Sequence, residues 1–156
     1  MTNPGVPTTP AEQVLTQLAR QKWAVDDRDA DALYPLYTAD SAQVIYQQGP
    51  DGRKEIARQY GREEVIANLT AGWARSAATW YPGSMIHSLG SCLAEPAGEG
   101  RFRCRSYATI LAIDPSGVPV LKGYCGYDDI WALDNGEWRL AYRETVLYGY
   151  CYTPRT

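Results

Sequence analysis

The chain has 156 residues, 45% of them hydrophobic and 21% charged, with a formal net charge of −3 and a sequence pI of about 5.1. These values describe one globular domain of ordinary size and give no electrostatic reason to expect nucleic acid or an anionic membrane as a partner. A single histidine, His87, excludes a multi-histidine metal centre, and the four cysteines (Cys92, Cys104, Cys125 and Cys151) form no CxxC pair of the zinc or redox kind.

The opening stretch is polar and proline-rich, without the apolar centre of a secretory signal. No apolar run approaches the roughly 20 residues that span a bilayer. The expectation is a cytoplasmic protein with reduced thiols. Twelve Tyr and five Trp stand against one Phe. Aromatics with polar tips suit a hydrogen-bonding cavity wall, and equally an amphipathic sheet face or a subunit interface.

Residues 1–9 read as a flexible tail, 10–150 as one domain and 151–156 as a C-terminal tail. Thr9, Pro10 and Glu12 form a capping-box start for a first helix. Val14, Leu15, Leu18 and Val25 give it an apolar face, with Trp23 as a further candidate. The run Asp26-Asp27-Arg28-Asp29 makes a corner, and Asp29 caps a short helix from Ala30 to Tyr37 that Pro35 shortens. A strand from Ala42 to Gln47 leads to a turn at Gly49-Pro50-Asp51-Gly52, and Gly61-Arg62-Glu63-Glu64 opens a third helix. Four long β segments follow, near 84–94, 101–113, 118–133 and 137–150, two of their connections carrying hairpin signals at Asp114–Gly117 and Asp134–Gly136. Early helices and late strands predict an α+β fold: a curved antiparallel sheet wrapped around N-terminal helices as a cone with an internal pocket.

Several stretches resemble the SnoaL-like group of the nuclear transport factor 2-like superfamily. They are AVDDRDADALYPLYTADS, GREEVIANL, MIHSLGSCLAE and KGYCGYDDIWALDNGEWRLAYRE, in that order, over about Ala11 to Tyr148. The resemblance implies the cone fold and the activities of lyases and isomerases such as scytalone dehydratase, ketosteroid isomerase and polyketide cyclases. It also covers members without chemistry, so fold alone does not decide function.

His87 lies in a β segment and is the side chain best suited to proton transfer near neutral pH. In the dehydratase and dehydrochlorinase branches a matching histidine acts as base, and an aspartate ending the first helix orients it. By that resemblance the dyad is His87 with Asp26. Burial would lower the histidine pKa and the aspartate would raise it, and sequence leaves the balance open. Tyr46 and Tyr107 are candidates to polarise a carbonyl or a leaving group. Tyr34, Trp80, Tyr81, Met85, Tyr127, Asp128 and Arg143 are candidate substrate contacts; Tyr124 and Tyr127 differ in parity, so only one points inward. Arg103 and Arg105 read as a salt-bridged exterior.

The leading expectation is a cofactor-independent dehydratase, cyclase or double-bond isomerase using this dyad on a hydrophobic small molecule of natural-product, steroid or polyketide type. No organic cofactor or metal motif is present in the sequence. The alternatives are a non-catalytic binding or dimerising protein of the same fold, and an epoxide-hydrolase-like site drawing on Asp128 and Arg143. A homodimer or higher homo-oligomer is expected from the resemblance.

Overall fold

The computed structural model describes residues 8–76, 84–114 and 116–150. Helix α1 (Pro10–Asp26) starts at the capping box: the Thr9 amide donates to Glu12 at 2.7 Å, and the Glu12 amide donates back to the Thr9 hydroxyl at 3.3 Å. Its buried face runs through Val14, Leu18, Gln21, Lys22 and Ala24. Trp23, a candidate for that face, is 71% exposed instead. The face follows the i, i+4 row Val14–Leu18–Lys22–Asp26, and Trp23 lies one position off it.

Arg28 turns the chain in a left-handed conformation (φ 57°). Asp29 then caps α2 (Ala30–Leu33), its carboxylate accepting from the Ala32 amide at 2.9 Å. A single 3-10 turn, Tyr34–Leu36, replaces the rest of the expected helix because Pro35 removes a backbone donor.

Strand β1 (Tyr37–Gly49) and strand β2 (Gly52–Tyr60) form a hairpin, with Gly52 at φ 110°. Strand β2 carries no hydrophobic alternation, since nearly all of it is exposed at a sheet edge. That is why the sequence reading shows only a turn there. Helix α3 (Arg62–Ser76) follows, with Val65 buried and Ile66, Leu69 and Trp73 packed against the core.

Strands β3 (Met85–Pro96), β4 (Arg101–Ile113), β5 (Pro119–Asp134) and β6 (Glu137–Tyr150) are the antiparallel meander. Asn135 and Gly136 both have positive φ, as a two-residue hairpin turn requires. The six strands are ordered β2-β1-β6-β5-β4-β3. The pairing of β1 with β6 is parallel, so the sheet is mixed rather than wholly antiparallel.

Register shifts interrupt the ladders at Ile45/Tyr46, Gly90/Leu93, Ile110/Leu111, Tyr124/Cys125 and Ile130/Trp131. Such shifts bend strands and let the sheet curl over α1 and α3. Inner and outer faces then separate cleanly. On β4, Cys104, Ser106, Ala108 and Ile110 are buried, while Arg103, Arg105 and Tyr107 face outward.

The closed end of the cone is filled by Val14, Leu18, Leu33, Trp131, Trp138 and Leu140. Toward the open end the packing thins to Ala108, Ile110, Cys125 and Tyr127, with Met85 and Leu147 beside them. The fold is stabilised at one end and hollow at the other. Truncating Leu18→Ala, at a site 1% exposed, should destabilise the protein by about 2–5 kcal/mol in denaturant unfolding.

Candidate active site

Asp26 is the last residue of α1, and the row that buries Val14, Leu18 and Lys22 carries it to the inner side of the sheet. His87 is the third residue of β3, on the inward parity with Met85 and Leu89. The Asp26 carboxylate meets it twice: Oδ1 is 2.5 Å from His87 Nδ1, and Oδ2 accepts from the His87 backbone N–H at 2.9 Å. Both side chains are nearly buried, 12% and 13% exposed. A proton on Nδ1 is held toward Asp26, so Nε2 is the ring nitrogen left for a ligand.

Burial is the strongest influence on His87 and lowers its pKa below the ordinary 6.5. The Asp26 hydrogen bond works in the opposite direction, and the positive charge of Lys22 adds to the lowering. The neutral ring is therefore the dominant form at neutral pH, as a base requires.

The pair opens on a cavity of about 430 Å³ between α1, α3 and the inner sheet face. Val25, Ile45, Leu69, Trp73 and Ile110 supply much of its apolar wall. Gln21, Tyr37, Gln43, Tyr127, Arg143 and Thr145 supply polar points. A second hollow of about 350 Å³ lies between α1 and β3 and shares Asp26, Met85 and His87 with the first.

Deeper in, Arg143 donates two hydrogen bonds to Asp129, at 2.8 and 2.7 Å, and both side chains are buried. Burial opposes the arginine charge, but the ion pair outweighs it and holds the Arg143 pKa above its usual value. The Lys22 amine sits 3.5 Å from the Tyr127 ring centroid, and the Arg143 guanidinium lies 4.6 Å from that centroid. Burial, and then the neighbouring Arg143 charge, push the Lys22 pKa well below 10.5. Burial raises the Tyr127 pKa, so the phenol keeps its proton.

Of the residues singled out from sequence, His87, Asp26, Met85, Tyr127 and Arg143 meet at this cavity. Others do not. Tyr107 is 44% exposed on the outer face, opposite Gly90 and Gly126 in the register. Tyr46 also faces outward, because Gln43 and Ile45 take the inward positions of β1. Tyr34 is on the surface, where its hydroxyl donates to Glu63 at 2.6 Å and its ring stacks on Arg62. Asp128 is external and pairs with Arg103, as the salt-bridged exterior suggested. Arg105 pairs with Glu95 there. Trp80 and Tyr81 lie outside the described residues.

Gln21, Lys22, Tyr37 and Asp129 escaped the sequence reading. Parity could have found Asp129: with Tyr127 and Trp131 inward, Asp129 is inward and Asp128 is not. The i+4 row ending at Asp26 could have found Lys22. An Asp–Arg pair of the kind considered for an epoxide-hydrolase-like site does exist, but its carboxylate is Asp129 and Asp128 takes no part in it.

A family model described as the SnoaL-like domain matches residues 9–144. No curated protein matches the chain. Among solved structures, the protein Aln2 from a Streptomyces species superposes with a TM-score of 0.72 at 18% identity, covering 90% of this chain and 93% of its own. A β subunit provisionally assigned to an aromatic-ring-hydroxylating dioxygenase of Novosphingobium aromaticivorans also gives 0.72, at 13% identity and 89% of each chain. A provisionally assigned scytalone dehydratase from the same organism gives 0.67 at 16% identity, covering 92% of this chain and 88% of its own. At these identities the likeness is one of fold.

Two stability tests follow from the buried charges. Removing Asp129 (Asp129→Ala) strands the Arg143 charge in the interior and should destabilise the protein by about 3–5 kcal/mol. His87 and Lys22 both bind protons less readily folded than unfolded. Stability therefore falls as pH drops, from about 10.5 to the folded value for Lys22 and from about 6.5 to the folded value for His87. Lys22→Met should accordingly be more stable than wild type at neutral pH and show a flatter alkaline slope in unfolding midpoints.

Proposed function

The chain belongs to the SnoaL-like domain family, and within it we propose a cofactor-independent lyase or isomerase that moves a proton on a hydrophobic small molecule. The observation that carries this reading is the Asp26–His87 hydrogen bond at the wall of a largely apolar cavity. His87 Nε2 takes a proton from a carbon next to a carbonyl. The electron pair left behind either expels a leaving group, giving a new double bond, or is reprotonated by the imidazolium at another carbon. Asp26 holds the ring in the useful tautomer and stabilises the imidazolium. Arg143, fixed by Asp129, keeps a positive charge near the developing oxyanion. Dehydration, cyclisation and double-bond migration share this first step and differ in the shape of the cavity around it.

Exchange of the α-hydrogens of 1-tetralone in heavy water, followed by NMR, tests the reading. His87→Ala should slow exchange by roughly 10²–10⁴-fold, the usual contribution of a positioned acid–base group. Asp26→Asn should lower the rate as well, since an amide does not stabilise the imidazolium. The wild-type rate should rise with pH through a midpoint below 6.5 and level off by neutrality, because the base is the neutral ring. Exchange in His87→Ala at the wild-type rate would remove the base assignment.

A second observation supports self-association alongside this activity. Tyr107, Tyr124 and Tyr148 cluster on the outer sheet face, with ring centroids 5.6–6.3 Å apart. A Cβ at Gly126 would sit 3.1 Å from the Tyr148 ring and 3.4 Å from that of Tyr107, so glycine makes room for the cluster. Flanking it, Arg53–Glu144, Arg103–Asp128 and Arg105–Glu95 present both signs of charge, which suits a surface that meets a second copy of itself. Sedimentation should show a dimer or higher oligomer that Tyr107→Arg/Tyr148→Arg converts to monomer. An unchanged mass would place the contact elsewhere.

A further inference from the structure

The chain carries a net charge of −3, yet the wall of the 430 Å³ cavity holds three arginines, Arg28, Arg75 and Arg143, against one carboxylate, Asp26. Arg143 is balanced by Asp129 behind it, and Asp26 is engaged with His87. The positive surplus on the wall therefore comes from Arg28 and Arg75, neither of which the acid–base reading uses.

Arg28 stands two residues beyond Asp26, at the corner where α1 ends, in a left-handed conformation (φ 57°). Glycine or asparagine takes that conformation at least cost, so the corner by itself gives no reason for an arginine. The side chain is half-buried and lines the cavity. Asp27 and Asp29 flank it in the chain, but both are exposed and lie off that wall, and Asp29 caps α2. In the last turn of α3, Arg75 folds back along the helix. Its Nη2 lies 3.8 Å from the point that a Cβ on Gly72 would occupy, and Gly72 lines the same cavity. The guanidinium itself is thus at the cavity wall, and not only its stem. Arg75 is exposed, as is Ile56 on β2, which also lines the cavity, so these residues mark its mouth. Among the described residues Arg75 makes no ion pair.

Such a mouth sorts ligands by charge. A carboxylate gains charge-assisted hydrogen bonds from guanidinium groups, whose planar forks match its two oxygens. Deeper in, it would lose hydration against Val25, Ile45 and Leu69 and meet the like charge of Asp26. The anionic end of a ligand therefore stays at the mouth, and its apolar end enters. A cavity of this volume suits a small molecule, so the anion and the buried end belong to one compact skeleton.

We propose that Arg28 and Arg75 form a carboxylate-binding site at the mouth of the cavity, and that the substrate is a keto acid held there by its ionised carboxyl group while its apolar body lies within. That the reacting carbon lies at His87 rests on the acid–base reading above; the carboxylate site does not.

The test compares binding of 1-tetralone-6-carboxylate and its methyl ester by calorimetry at neutral pH and low salt. Wild type should bind the carboxylate about tenfold more tightly, the size of charge-assisted hydrogen bonds that keep some contact with water. The preference should shrink at high salt, which screens charges at an open mouth. Arg28→Gln and Arg75→Gln should each lower the preference about threefold, and the double variant should abolish it, with affinity for the ester nearly unchanged. Near-UV circular dichroism verifies the fold, and Arg75→Gln serves if Arg28→Gln does not fold. His87→Ala should keep the preference and lose α-hydrogen exchange. Equal affinities in wild type, no binding of either ketone, or an intact preference in Arg75→Gln would overturn the site. A loss of stability in Arg75→Gln with the preference intact would reduce that residue to a cation complementing the helix end. Exchange that survives in His87→Ala with the preference intact would instead overturn the base and leave the carboxylate site standing.

Discussion

The carboxylate of Asp26 joins the end of α1 to the edge strand β3, and the geometry of the site depends on that junction. One oxygen accepts the backbone N–H of His87 and the other meets its ring. An acidic residue in the last turn of a helix opposes the helix dipole, a modest cost of roughly 0.3–1 kcal/mol when exposed. Here two hydrogen bonds to one residue offset that cost. They also set the angle of the imidazole, because backbone and ring are gripped together. A strand edge that would otherwise present a free donor at this position is closed by a side chain from the helix. The same contact thus supports the fold and orients the imidazole ring.

Charge inside the cone follows from the same architecture. The closed end is packed with Leu, Val and Trp side chains and stabilises the domain. That surplus tolerates Lys22, Arg143 and Asp129 nearer the cavity, where each buried charge is expensive without a partner. Arg143 and Asp129 satisfy each other with two short hydrogen bonds. Lys22 has an aromatic face, and burial with the neighbouring Arg143 charge depresses its pKa. Arg143 lines the cavity on which His87 opens, and Asp129 lies behind it, opposite Cys104 in the ladder.

Strand parity divides the aromatic residues between two kinds of work. Tyr37 and Tyr127 are inside, and Tyr107, Tyr124 and Tyr148 are outside on the convex face. Gly126 allows the outer rings to approach the strand closely, which a side chain there would prevent. The excess of tyrosine over phenylalanine is thereby explained on both faces: inside by hydrogen bonding, outside by half-exposed rings whose hydroxyls reach water.

The order of helices and strands, the capping box at Thr9, the corner at Asp29, the hairpin at Asn135-Gly136 and the residues His87 and Asp26 were all legible in the chain. The local features depend on near neighbours or on a motif of short span, whereas the choice of His87 and Asp26 rested on the family resemblance. Strand β2 was not legible, because an exposed charged edge lacks hydrophobic alternation. Nor was the parallel pairing of β1 with β6, which joins segments about a hundred residues apart. The faces of Tyr46, Tyr107 and Asp128 were decided by register, and a one-residue change of register turns every side chain to the opposite side. The Gln21–Tyr37 pair exists only once helix and sheet close on each other, and the Arg143–Asp129 pair is set by the β5–β6 register, which shifts at Ile130/Trp131. Local sequence specified the parts and the chemistry available to them, whereas long-range packing decided which parts meet, because distances between side chains remote in the chain are set by the curl of the sheet.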